Sequence, residues 1–380
     1  MSHSPSTNLA EWVQTELQED LALGIDRHLQ VIPNGVIPFC SNDYYGLSYD
    51  ARLITAAQEA LAEYGIGAGA ARLISGNQPP HEALEKSLAE WKNCESARLF
   101  PSGYMAALGA ITALCNENNT IILDKRCHAC LMDGARLSGA RRLIFAHNDM
   151  NYLADLLKNE SANSSRRIIV IVESLYSMDG DFAPLREIVE MKQRYGFTLM
   201  VDEAHATGLY GPDRSGRIKE LEVTSQVDVQ LFTLGKAIGT AGGVVASSKN
   251  VIQLLTNRAK TFLFTTAPPA LICAASIAGV QLIRGPEGLA HQQRLHENIE
   301  TLRTALPFPA PGSPILPLIV GDEARAVAAS EFLLQEGFFV PAIRHPTVPM
   351  DKARLRVTMN STATTNQIRQ FARAIHQAIS

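Results

Sequence analysis

The sequence predicts an α/β protein: a mostly parallel central sheet flanked by helices, with a smaller C-terminal α+β part. Two observations carry this. Short apolar runs (TIILD, RRIIVIVES, FTLMVDEA, VQLFTLG) alternate with helix-patterned segments such as LREIVEMKQRYG, an order that builds βα units into a parallel sheet. From about residue 275 the pattern changes to a long helical stretch, QQRLHENIETLRTAL. Three strand-like runs follow it, SPILPLIVG, FFVPAIR and ARLRVTMN, and a last helix closes the chain. Residues 1–38 read as a helical arm with its connection, 39–275 as a large α/β domain, and 276–380 as a small α+β domain.

Taken in order, the arm ends in a Pro/Gly-containing connection, IPNGVIPF, and SNDYYGL opens the α/β region. LITAAQEALAEYG has helical spacing and stops at Gly65. The glycine cluster GIGAGAARLISG follows a helix where a dinucleotide fold needs a strand, and its spacing is not GxGxxG. It reads as a loop bordering a site or as a plain structural turn, with no helix starting inside it. PHEALEKSLAEWKN is a second helix, with Leu84, Leu88 and Trp91 on its apolar face. LFPSGYMAALGAITALC reads as strand, turn and helix, with Ser102 or Gly103 near the cap.

A chain of 380 residues can bury a large core, and 46% hydrophobic with 19% charged residues is ordinary for a soluble globular protein. A net charge of -4 gives no basic field for nucleic acid or an anionic membrane. No apolar run reaches the ~20 residues that span a bilayer. The start, MSHSPSTNLAEWVQ, lacks the basic and apolar regions of a secretion signal. Six scattered cysteines suit reduced thiols in a cytoplasm better than a disulfide frame. The expectation is a cytoplasmic protein.

The chemistry concentrates in VDEAHATG, at Val201 to Gly208, and TLGKAIG, at Thr233 to Gly239. Each follows an apolar strand, and open α/β sheets collect ligands beyond the carboxyl ends of their strands. Lys236 offers an amine that can condense with an aldehyde, and Asp202 a carboxylate able to keep a pyridine nitrogen protonated. Together they suit pyridoxal 5'-phosphate. Against this stands an ordinary α/β protein with a surface lysine and a loop aspartate. Ser102, Gly103 and Tyr104 open an apolar helix whose free N–H groups favour an anion such as phosphate. SMDGD, at Ser177 to Asp181, reads either as a plain tight turn or as one that sets the Ser177 hydroxyl near the site mouth, past another strand's carboxyl end. Cys127, His128 and Cys130 form CHAC, which raises a metal or redox role, but no second ligand pair stands at zinc spacing. His128 reads better as a ring stacked on a flat cofactor. Gly103, His128, Ser177, Asp202, His205, Thr233 and Lys236 all fall on one side of the predicted sheet, a convergence that favours the cofactor reading.

With these residues and GIDRHL, FCSNDYYGL, HEALEKSLAEW, FPSGY, FAHND, YSMDGD and AIRHPTVP in view, the chain resembles the α-oxoamine synthases nearly end to end. These are pyridoxal phosphate enzymes of fold type I. The resemblance implies that Lys236 holds the cofactor covalently, Asp202 pairs with its ring nitrogen, His205 bonds its ring hydroxyl, and His128 stacks over it. Gly103, Tyr104, Ser177 and Thr233 would cradle the cofactor, with Thr266 of FTTAPPA lent across the interface of a homodimer. Arg356, with Asn42, would anchor an amino acid carboxylate, and Arg27 and Thr347 would line an acyl channel. AIRHPTVP and ARLRVT favour L-alanine with a pimeloyl thioester, on coenzyme A or an acyl carrier protein, over glycine with acetyl-CoA. The chain departs from the family at Ala68, Ala70 and Ala71, where relatives carry hydroxyls, and at His345, where proline is usual. FTTAPPA also looks one residue short, and VDEAH replaces the commoner VDDAH.

Overall fold

The computed structural model describes residues 8–22, 25–163, 165–306 and 312–379. After a helix at Leu9–Ala22 and a two-residue strand β1 (Ile37–Pro38), seven strands build the main sheet. These are β2 (Ser96–Phe100), β3 (Asn119–Asp124), β4 (Arg141–Phe145), β5 (Arg167–Glu173), β6 (Thr198–Asp202), β7 (Val229–Thr233) and β8 (Gly243–Ser247). Their order is β2-β8-β7-β6-β5-β3-β4. All neighbours pair in parallel except at β8, which runs antiparallel to both β2 and β7. The carboxyl ends of the other six strands therefore share one edge of the sheet.

Successive residues of a strand face opposite sides, so a sheet covered on both faces needs nearly continuous apolar strands. β5 does this. Ile169 and Ile171 join a core with Ala107, Ala110 and Ile111 of the helix Gly103–Leu114. Ile168, Val170 and Val172 join another with Leu153, Leu157 and Ile188 on the far side. The intervening helices stop where the sequence provides for it. Leu185–Tyr195 ends at Gly196 with φ 69, a left-handed cap that costs glycine no steric strain.

Beyond the helices Ala270–Arg284 and Pro286–Ala305, a second sheet forms from β9 (Ile315–Gly321), β11 (Ala342–Ile343) and β12 (Ala353–Thr358), in the order β11-β12-β9 and antiparallel throughout. The short β10 (Phe338–Phe339) pairs with β1 instead, tying the start of the chain to its end. The helix Thr365–Ile379 closes the described chain.

Three expectations need correction. β4 and β8 are strands that the sequence pattern does not announce. FFVPAIR is two short strands rather than one, parted at Val340 and Pro341, because proline cannot donate to a ladder. The glycine cluster does contain a helical turn, Arg72–Gly76, pinned by Arg72 Nη1 on Glu85 at 3.0 Å.

Candidate active site

Five strand ends deliver the site. β2 leads into the helix Gly103–Leu114, whose Ser102 cap accepts the Met105 N–H at 3.2 Å. A Cβ on Gly103 would lie 3.4 Å from the Thr233 side chain, so this helix start abuts the end of β7. Gly243 allows the approach from below, since a Cβ there would sit 2.3 Å from the Ser102 carbonyl. Free N–H groups at a 12-residue helix thus open beside Thr233, three residues before Lys236.

β6 ends at Asp202, which is buried, and its Oδ1 accepts the Ala204 N–H at 2.8 Å. His205 follows, with Nε2 at 2.7 Å from Lys236 Nζ and Nδ1 at 2.7 Å from the Tyr44 hydroxyl. Burial, then the Lys236 charge, hold His205 far below the usual histidine range. It is a neutral ring between an amine and a phenol. Burial pushes the Lys236 amine down to about 8, with Asp202 and Glu173 pulling the other way. At pH 7 about a tenth of it is therefore free amine, far more than for an ordinary lysine. Burial raises the Asp202 carboxyl while Lys236 opposes the rise, so a cationic partner placed here would keep it ionised.

β5 ends at Glu173, directly across from Asp202 in the ladder. Burial and the Asp202 charge raise its carboxyl to about 8. Its Oε1 accepts the His128 backbone N–H at 2.5 Å. The turn that follows carries Ser177, whose carbonyl accepts from Arg356 Nε at 2.6 Å. Both Arg356 Nη atoms reach Asn42 Oδ1 at 3.3 Å. Arg354, also on β12, pairs with Asp179 at 2.9 Å in the same turn. Gly180, at φ 69, could not be replaced freely, because a Cβ would lie 2.0 Å from the Ile315 carbonyl. The second sheet is thereby clamped onto the site.

The structure thus brings together Lys236, His205, Asp202, His128, Thr233 and Gly103 around one edge, with Arg356, Asn42 and Ser177 beside them. Tyr104 meets His128 edge-on, with ring centroids 6.5 Å apart, and its hydroxyl donates to Asp133. Arg27 Nη2 donates to Thr347 Oγ1 at 3.3 Å, so those two residues meet, both exposed. Thr266 is exposed and touches none of these groups; its neighbour Ala267 donates to the Ala70 carbonyl at 3.0 Å. The thiols of CHAC turn away from metal geometry: Cys127 Sγ donates to the Ile171 carbonyl, and among the described residues no set of three His, Cys, Asp or Glu side chains could hold a metal ion.

Tyr44 and Glu173 are absent from the candidates that the sequence offers. Tyr44 lies in SNDYYGL, 161 residues from His205, and nothing local ties the two. Glu173 carried a usable signal, an acid closing a strand that is apolar from Ile168 to Val172.

The donor set fits pyridoxal phosphate: an amine of lowered basicity, a buried carboxylate, a neutral histidine and an anion-binding helix start. Comparisons with known proteins agree. The family profile "Aminotransferase class I and II" matches residues 34–375. The chain is similar to the 8-amino-7-oxononanoate synthase of Anaeromyxobacter dehalogenans, 41% identical over 379 residues, which covers 96% of this chain and 94% of that one. It is similar also to that of Geobacter sulfurreducens, 40% identical and covering 91% and 92%. Among solved structures, a serine palmitoyltransferase from S. paucimobilis with bound PLP superposes at TM-score 0.90, with 26% identity and 98% of each chain covered. An 8-amino-7-oxononanoate synthase from Francisella tularensis superposes at 0.78, with 25% identity over 91% of this chain and 98% of that one.

Proposed function

As this chain belongs to the aminotransferase class I and II family, and within it to the 8-amino-7-oxononanoate synthases, we propose that it condenses L-alanine with a pimeloyl thioester. The alanine α-carbon bonds to the acyl carbon, the C–S bond and the bond to the alanine carboxyl break, and 8-amino-7-oxononanoate, carbon dioxide and free thiol carrier leave. This is a step of biotin biosynthesis. The observation that carries the reading is the row Asp202, His205 and Lys236 beyond two adjacent strand ends, with His205 and Lys236 2.7 Å apart.

Bound pyridoxal phosphate supplies an aldehyde for the amino nitrogen and a ring that withdraws the electron pair left at the α-carbon. Lys236 would hold the cofactor at rest and, once free, would take the α-proton on Nζ, a role suited to an amine near 8. Asp202 keeps the ring nitrogen protonated. His205 fixes the ring hydroxyl, itself positioned by Tyr44. The N–H groups at Gly103 and Tyr104 would hold the phosphate, with Thr233 and Ser177 assisting, and Thr266 of a second copy would complete the cradle in a homodimer. Arg356 holds the alanine carboxylate with its planar fork, helped by Asn42. His128 covers the open face and polarises the acyl oxygen. Arg27 and Thr347 line the acyl channel, where His345 tunes chain-length preference. The carrier is coenzyme A or an acyl carrier protein, and the enzyme works in the cytoplasm.

Purified protein with added pyridoxal phosphate should absorb as a lysine-bound cofactor, and Lys236→Ala should lose that band and turnover while staying folded. Alanine with pimeloyl-CoA should outpace glycine with acetyl-CoA. The reverse preference, or a colourless protein, overturns the proposal.

A further inference from the structure

The helix Ala129–Leu137 starts at the face of the site, and its cap is His128 itself. The ring does the capping: Nδ1 accepts the Cys130 backbone N–H at 3.2 Å. The Cys130 sulfur lies 3.0 Å from the same nitrogen. An amide N–H can only donate. The thiol is also a donor here, because burial pushes its pKa far up and the proton stays on sulfur. Two donors therefore converge on Nδ1, which leaves that nitrogen its lone pair and no room for a proton. On the other side of the residue, Glu173 Oε1 fixes the His128 backbone N–H at 2.5 Å, so ring and main chain are held together. Among the described residues, Nε2 has no hydrogen-bond partner.

We infer that Cys130 is a positioning residue that fixes His128 as the tautomer protonated on Nε2, its backbone held by Glu173, so that the ring donates a hydrogen bond to the substrate and takes no proton from it. This rests on the proposed reading that substrate lies over His128. Burial lowers the ring's basicity, and Lys236 adds to this against the opposing Asp202 charge, so the neutral form prevails at neutral pH. The groups that face the ring are Asp202, Lys236, Cys130, Glu173 through the backbone, and the edge of Tyr104. The division of labour follows. A neutral Nε2–H can stabilise charge growing on a thioester oxygen, while Lys236 alone carries the proton chemistry.

The test reads the ring directly. Protein labelled with ring-15N histidine is examined by two-bond proton–nitrogen correlation at pH 7.5, with and without bound pyridoxal phosphate. The His128 signals are identified by their loss in His128→Gln. The expected result is a protonated Nε2 and an unprotonated Nδ1 in both samples. A proton on Nδ1, or on both nitrogens, overturns the inference. Cys130→Pro removes the amide donor and the thiol together at a first-turn position where proline is tolerated. It should convert the His128 signals into a mixture of tautomers; an unchanged Nε2–H form would remove Cys130 from the account. If that variant does not fold, Cys130→Ala removes the thiol alone, and the parent spectrum still decides the tautomer. Absence of alanine and pimeloyl thioester turnover would refute the proposed function without touching this result, since the spectrum needs no substrate.

Discussion

Lys92 Nζ lies 2.8 Å from Glu203 Oε2, with 1% of either side chain exposed. Glu203 follows Asp202 directly, and its Oε1 accepts the Ile218 N–H at 2.9 Å. The ammonium also donates to Thr207 Oγ1 at 2.8 Å and to the Ser215 carbonyl. Every charge in this pair is satisfied, and it underpins the loop that presents Asp202 and His205. Removing one partner of such a pair costs about 3–5 kcal/mol, because the other is left charged in the interior. Lys92→Met should show this loss in urea unfolding, and Lys92→Met with Glu203→Leu should recover the part due to the stranded charge but not the part due to the Ile218 N–H and the Ser215 carbonyl, which lose their partners.

Tyr44→Phe leaves His205 Nδ1 buried without a partner. The penalty should be about 1–3 kcal/mol, the cost of an unsatisfied buried polar group. A readout is weaker pyridoxal phosphate binding in an absorbance titration, with a lower Tm for the apoprotein. Unchanged affinity would mean that His205 is oriented by Lys236 alone.

His147 bridges Asp124 at 2.9 Å and Asp181 at 2.6 Å. Burial lowers its basicity, but the bonds to both carboxylates outweigh that and raise it to about 9. A histidine whose folded value is raised contributes stability fully present below its unfolded value, near 6.5, and lost as pH climbs through 9. The Tm deficit of His147→Gln should therefore be largest near pH 6 and shrink towards pH 9.5. A deficit that is flat across this range would refute the assignment.

Gly180→Ala forces a side chain into a left-handed backbone, at about 1–2 kcal/mol, before any clash with Ile315 is counted. The turn that it distorts also presents the Ser177 carbonyl to Arg356. Stability and alanine KM should worsen together, as thermal unfolding and steady-state kinetics would measure.

Arg356→Lys keeps the charge but loses the fork that spans Ser177, Asn42 and Thr358. The loss of a charge-assisted bond, about 1.5–3 kcal/mol, should appear mainly as a higher KM for alanine. An unchanged KM would place the carboxylate elsewhere.

The central strands were legible because burial on both faces leaves an apolar signature that sequence alone displays. β5, β6 and β7 are such strands, and the residues just past them form the site. The edge strand β4 hid behind Arg141 and Arg142, both exposed. β8 hid because its close contacts require small residues, and GVVAS, which opens on the second of two adjacent glycines, looks like a loop. Tyr44 with His205, and Glu173 with the His128 backbone, depend on segments far apart in sequence. Periodicity has no access to such pairs.

Arg356 already grips three oxygens, the Ser177 carbonyl, the Asn42 amide and the Thr358 hydroxyl. On the proposed reading, an arriving carboxylate does not meet an idle guanidinium; it joins Asn42 at the fork while the Ser177 tether keeps the arginine aimed. Recognition at this point would add a charged acceptor to neutral ones, and a preference for a carboxylate over an uncharged group would be set by that difference.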